Sequence, residues 1–260
     1  MEPATRTLQA SVDDEDDSHF RILVNGDTIR YLTVASGVYT AQDMCFSPTF
    51  MSLLPSFPPG DWNEACISRD AGSGEPYFRD CTKRSLPGIT SIWHANKVDY
   101  LNLKLGAKLR SAVYETAITH LTESVVKFAR FDWEIAAVER ETAAYHWIEG
   151  EGIGPEFQGH VTEHGRVIGF LIAKVTNARH AGPQDLGLCQ TVLAKLHGLG
   201  IVHGDVNRYN FLIHDGQAIL IDFDCARKCE DQTEFKEEQQ SMREQLSDES
   251  GLGGTIRIAG

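Results

Sequence analysis

Ile201-Val-His-Gly-Asp-Val-Asn-Arg-Tyr-Asn-Phe-Leu-Ile213 and, shortly after it, Ala218-Ile-Leu-Ile-Asp-Phe-Asp224 contain the densest chemistry in this chain. Two apolar runs flank a polar loop that holds His203, Asp205 and Asn210, and the second run ends on Asp222. Asp205 and Asn210 are five residues apart in one loop, and Asp222 follows twelve residues after Asn210 at the end of a strand. Such spacing brings two carboxylates and an amide toward one point, as metal-assisted phosphoryl transfer requires. Taken singly, each residue has a plainer reading. Asp205 could hydrogen-bond loop amides, Asn210 could form an Asx-turn, and Asp222 could cap its strand.

Together these residues carry a resemblance. The loop resembles the protein-kinase catalytic loop, His-Arg-Asp with an asparagine five residues on, and Asp222-Phe-Asp224 resembles Asp-Phe-Gly. The resemblance implies that Asp205 accepts the proton of an acceptor hydroxyl and that Asn210 and Asp222 hold Mg²⁺. Three positions depart from the pattern. Gly204 replaces the arginine that commonly receives an activation-loop phosphate; His-Gly-Asp is the variant of small-molecule kinases and of the small kinase of the tRNA-modifying KEOPS complex. Asn207 stands where a lysine beside the γ-phosphate is usual, and Asp224 where glycine is usual. His203, at a tight bend, reads as a structural prop.

Upstream, Val125-Val-Lys127 is similar to the kinase Val-Ala-Ile-Lys, which makes Lys127 the expected anchor for the α- and β-phosphates. Leu105-Gly-Ala-Lys-Leu-Arg-Ser-Ala-Val113 overlays the glycine-rich loop, so Leu105, Gly106 and Val113 are expected beside the nucleotide. Lys108 and Ser111 replace its second and third glycines, and a clamp built on close backbone approach is degraded by that loss. The helix expected over 134–148 offers Glu141 as the partner of Lys127. Glu134 is a rival on nearly the same face, and Glu139 points elsewhere. The backbone near Ala173 to Val175 is expected to form the adenine edge.

The same pattern orders the rest of the chain. Strands are expected at 100–105, 112–118 and 124–129, followed by the helix, a hairpin of 157–161 with 166–175 turned at His164-Gly165, and a helix capped by Asp185 and stopped by Gly198 and Gly200. Earlier, 21–34 reads as a hairpin with Asn25-Gly26 at its turn. Residues 1–18, ending in Asp13-Asp-Glu-Asp-Asp17, read as a disordered acidic tail. Residues 48–87 read as loops that pack through Phe57, Trp62 and Phe78. Past Asp224 there is no Ala-Pro-Glu. Residues 231–246 read instead as an acidic amphipathic helix, with Phe235, Met242 and Leu246 on one stripe, that either closes a short lobe or docks a protein partner.

The expected architecture is therefore α+β: a protein-kinase-like bilobal fold with an N-terminal extension over 19–97, an N-lobe over 98–175 and a minimal C-lobe over 176–260. The expected function is ATP- and Mg²⁺-dependent phosphoryl transfer to a small molecule or to an acceptor delivered by a partner. A nucleotide-binding pseudokinase or scaffold subunit is the alternative. A net charge of −13 argues against a general nucleic-acid or anionic-membrane binder. No apolar run approaches a membrane span, and six scattered cysteines suit a reducing, intracellular compartment.

Overall fold

The computed structural model describes residues 5–117, 123–248 and 250. The end of the strand expected over 112–118 lies outside them. The chain divides into two units, Met1–Leu86 and Pro87–Gly260.

The first unit is a five-stranded sheet of β1 (Arg6–Ser11), β2 (Ser18–Val24), β3 (Thr28–Val34), β4 (Glu64–Arg69) and β5 (Pro76–Thr82), in that order. Two short helices, α1 (Ala41–Cys45) and α2 (Ser47–Leu53), lie between β3 and β4. The expected hairpin is β2–β3, and Asn25 and Gly26 both take positive φ, 56° and 82°. Two expectations fail here. The tail is not disordered over its described length, because Arg6–Ser11 pairs antiparallel with β2 and buried Gln9 accepts a 2.7 Å hydrogen bond from buried Arg21. The acidic block is the turn that follows, in which Asp13 accepts from the amides of Glu15 and Asp16. The stretch expected as loops contains β4 and β5, with Ala65 and Ile67 turned into the core. Phe57, Trp62 and Phe78 pack against one another there.

The second unit begins at Pro87, so the boundary expected after residue 97 moves upstream. Ile89 is buried, and its amide donates to the Val167 carbonyl at 2.8 Å. A six-stranded sheet forms the N-lobe. Its strands are β6 (Lys97–Asp99), β7 (Lys104–Arg110), β8 (Val113–Ala117), β9 (Ser124–Phe128), β10 (Phe157–Glu163) and β11 (Arg166–Ala173), in the order β6-β10-β11-β9-β8-β7. Helix α3 (Ile135–Trp147) connects β9 to β10. The hairpin turn falls on His164 and Gly165, both at positive φ. The segment expected to loop from Gly106 to Ser111 is mostly strand, and only Ser111 and Ala112 turn, with Ala112 at φ 58°.

The C-lobe holds β12 (Arg179–His180), α4 (Leu186–Gly198), β13 (Ile201–Val202), β14 (Phe211–His214), β15 (Gln217–Leu220), β16 (Arg227–Lys228) and α5 (Gln232–Ser247). Asp185 stands at the N-cap position of α4 as expected, but its side chain makes no capping hydrogen bond to that helix. It sits in the preceding 3₁₀ turn, where it accepts from the Gly182 amide and pairs with Arg179. Gly200, at φ 70°, follows the end of α4. Helix α5 starts on an Asp231 cap and buries Phe235, Met242 and Leu246, the last two in one core with Leu193, Leu196 and Phe211. The apolar stripe therefore closes the lobe, and only the polar face of α5 stays exposed. No described helix is long and apolar enough to cross a membrane.

Candidate active site

The β14–β15 hairpin places the acidic residues. Phe211 pairs with Leu220, and the Ile221 amide donates to the Asn210 carbonyl at 3.0 Å, so Asn210 and Asp222 leave the hairpin base side by side. Asp222 has φ 65°, a left-handed conformation that Asp tolerates better than most residues. On the other side of the cleft, β7, β8 and β9 pair so that Arg110 faces Val113 and Val113 faces Lys127. One row of residues therefore carries two cations toward Asp222.

Lys127 Nζ lies 2.5 Å from Glu141 Oε2 and 2.5 Å from Asp222 Oδ1. Arg110 Nη1 donates to the other oxygen, Asp222 Oδ2, at 2.8 Å, and Arg110 Nη2 reaches the Tyr209 carbonyl at 3.4 Å. Burial opposes the Lys127 charge, but Glu141 and Asp222 together outweigh it and hold the ammonium above its ordinary pKa. Burial would likewise raise Asp222; Lys127 and Arg110 overcome that and keep its carboxyl below the usual range. Glu141 is fully enclosed, and burial pushes its carboxyl up to about 7 against the pull of Lys127.

The rivals of Glu141 are engaged elsewhere. Glu134 accepts from Arg130 and from the amide at the entry to α3, and Glu139 binds the amides of Thr90 and Ser91. A cleft of about 560 Å³ opens beside this cluster. Val113, Lys127, Glu141, Ala173, Val175 and Asp222 line it, whereas Leu105 and Gly106 do not. Those two lie further along β7, where Gly106 backs onto the Glu115 carbonyl.

In the catalytic-type loop, both oxygens of Asp205 accept from Asn207 Nδ2 at 2.9 Å, and Oδ2 also accepts from Asn210 Nδ2 at 3.0 Å. The opposite oxygen, Asn210 Oδ1, is buried and has no hydrogen-bond partner among the described residues. His203 is fully buried. Its Nδ1 accepts from the Asp205 amide and its Nε2 faces the Ile221 carbonyl, while burial lowers the ring's pKa. Gly204 has φ 83°, and a Cβ there would lie 2.7 Å from the Cys225 carbonyl, which explains why no arginine occupies this position.

Comparison with known proteins finds two partial matches. The RIO domain family matches residues 165–237, from the β10–β11 hairpin into α5. Over that stretch the chain is similar to an atypical kinase domain. Over 61 residues it is 39% identical to a probable bifunctional tRNA threonylcarbamoyladenosine biosynthesis protein of Methanoculleus marisnigri. That stretch is 24% of this chain and 11% of the relative, so the chain covers a small part of that protein's length.

Three residues of this kinase-like site escape a reading of the sequence. Arg110 is hidden because the tight Ser111-Ala112 turn, which sets the cross-strand register, gives no sequence signal. Gly169 is the second. A Cβ there would lie 2.3 Å from the Lys127 carbonyl, so this glycine lets β11 approach β9 directly behind the lysine. Glu238 is the third. From α5 it accepts from the Gly204 amide at 2.7 Å, the His203 amide at 3.2 Å and His197 Nε2 at 2.6 Å. Its signal was present, an acid three residues after Phe235 and four before Met242 on the apolar stripe.

Glu238→Ala strips these donors of their partner and is expected to cost about 1–3 kcal/mol, read as a lower urea midpoint. Burial raises the Glu238 carboxyl, but His197 and the two loop amides outweigh that and depress it. Its stabilisation is therefore present above the ordinary glutamate pKa and is lost as pH falls through the lower folded value. An unchanged midpoint would separate α5 from the loop.

Proposed function

We propose that this chain transfers the γ-phosphoryl group of ATP, with Mg²⁺, to a hydroxyl acceptor. The observation that carries the proposal is Lys127, held by Glu141 and Asp222 at once on the wall of a nucleotide-sized cleft. In this reading Lys127 neutralises phosphate charge, Glu141 fixes its direction, and the backbone at Ala173 to Val175 meets the adenine. Asp205 orients the acceptor hydroxyl and takes its proton.

The donor set suits magnesium. Among the described residues no group of three or more His, Cys, Asp or Glu side chains could hold a metal ion. Magnesium needs less, one or two protein oxygens completed by phosphates and water. Asn210 Oδ1 and Asp222 would supply them, and the unpartnered Asn210 oxygen is a hard donor of the right kind. The bound ion would spread charge off the transferring phosphate.

A molecule that binds only the folded state stabilises it by about 2.7 kcal/mol at a hundredfold excess over its dissociation constant. Millimolar ATP–Mg²⁺ is thus expected to raise the melting temperature by several degrees. No shift with a folded sample would overturn the proposal.

A second reading has its own support. Asn207 replaces the lysine that would help the γ-phosphate, and it is committed to holding Asp205. That favours a nucleotide-binding scaffold that transfers slowly or not at all. For the acceptor, the relative's role in tRNA threonylcarbamoyladenosine biosynthesis suggests a tRNA-modifying setting. With a net charge of −13, the acceptor is more readily a small molecule or a partner protein than tRNA bound directly.

A further inference from the structure

The glycine-rich clamp of this chain lacks two glycines, and the strand that enters its turn ends on an arginine that lines the cleft. Arg110 is placed there by strand register, in one row with Val113 and Lys127. Its guanidinium takes Asp222 Oδ2 while Lys127 takes Oδ1, so both oxygens of the expected metal ligand are already bound to side-chain cations. A divalent cation at Asp222 would displace Arg110 by direct competition and by like-charge repulsion. The guanidinium would then be left in a partly enclosed cleft beside incoming phosphates, the anionic partner its planar fork fits best.

We propose that Arg110 is a phosphate-binding residue, paired with Asp222 when nucleotide is absent and with the ATP phosphates when Mg²⁺ takes Asp222. The proposal rests on the nucleotide-binding reading of the site. It assigns to a side chain the charge neutralisation that a glycine-rich turn performs with backbone amides. A lysine at 110 keeps the charge but loses the bidentate geometry, whereas alanine loses both.

Titration calorimetry with ATP–Mg²⁺ on the wild-type chain, Arg110→Lys and Arg110→Ala tests this. Adenosine serves as the phosphate-free probe, and the unliganded melting temperature checks folding. Arg110→Ala is expected to weaken ATP–Mg²⁺ about tenfold, the loss of a charge-assisted contact, with adenosine affinity unchanged. Arg110→Lys should fall in between. Equal or tighter ATP–Mg²⁺ binding by Arg110→Ala would overturn the assignment and make Arg110 a plug on the metal ligand. A parallel loss of adenosine affinity would overturn it too, since Arg110 would then act only on cleft shape. If the wild type binds adenosine but gains nothing from phosphates and Mg²⁺, the phosphate role alone fails. If it binds neither, the nucleotide reading fails as well.

Discussion

Asp205→Asn is expected to lower phosphoryl transfer by about 10²–10⁴-fold while leaving ATP–Mg²⁺ binding nearly unchanged. The substitution keeps size and shape but removes the charge that draws the acceptor proton. Asp205 is not among the residues that line the cleft with Lys127, and the Asn210 amide keeps its 3.0 Å bond to the Asp205 backbone carbonyl when the side chain changes. The loop should keep its form, because His203, Glu238 and Asn210 hold it through separate contacts. Transfer to water, to the chain itself and to a panel of hydroxyl acceptors measures the effect. Equal turnover of the two proteins would remove Asp205 from the chemistry. Binding without any transfer by the wild type would select the scaffold reading instead.

Gly169→Ala should damage the protein most among single-methyl changes. The added carbon would sit 2.3 Å from the Lys127 carbonyl and 2.6 Å from Phe128 Cα, both backbone atoms that no rotamer change can move. Overpacking of a core costs about 1–3 kcal/mol and more where strands must separate, a large share of a total stability of about 5–15 kcal/mol. Because β9 would shift at Lys127 itself, the ATP–Mg²⁺ melting shift should shrink along with the unliganded melting temperature. Thermal unfolding with and without nucleotide reads both. A variant as stable as the wild type would mean that the two strands can part without penalty.

The contrast between Asp205 and Gly169 shows what a sequence conveys and what it conceals. The acidic loop was legible because its chemistry is local: Asp205, Asn210 and Asp222 flank one hairpin and keep a spacing that a metal and a phosphate both require. Helix α5 was legible through Phe235, Met242 and Leu246, whose spacing marks a helix, though not which surface its stripe would meet. Lys127 was legible through a motif, and its partner only as a choice among glutamates that packing had to make. Arg110, Gly169 and Glu238 act across strands and between elements, where sequence distance says nothing about separation in space. The first unit was read least well. Strand β1 is polar and held by the buried Arg21–Gln9 contact, so it lacks the alternation that marks a strand. In β4 the alternation is present, but it is short and flanked by prolines and glycines.

The contact between Glu238 and the loop at His203 and Gly204 also has a meaning in time. A ribosome delivers the chain from its amino end, so the loop emerges before the helix that secures it. Until α5 has emerged and packed, the amides of residues 203 and 204 lack their acceptor, and the core lacks Met242 and Leu246. A nascent chain stopped between Asp224 and α5 would own Asp205 and Asp222 while the loop amides at 203 and 204 still lacked their acceptor. The protein thus acquires this support for its loop late in synthesis, after the acidic residues it steadies have already been made.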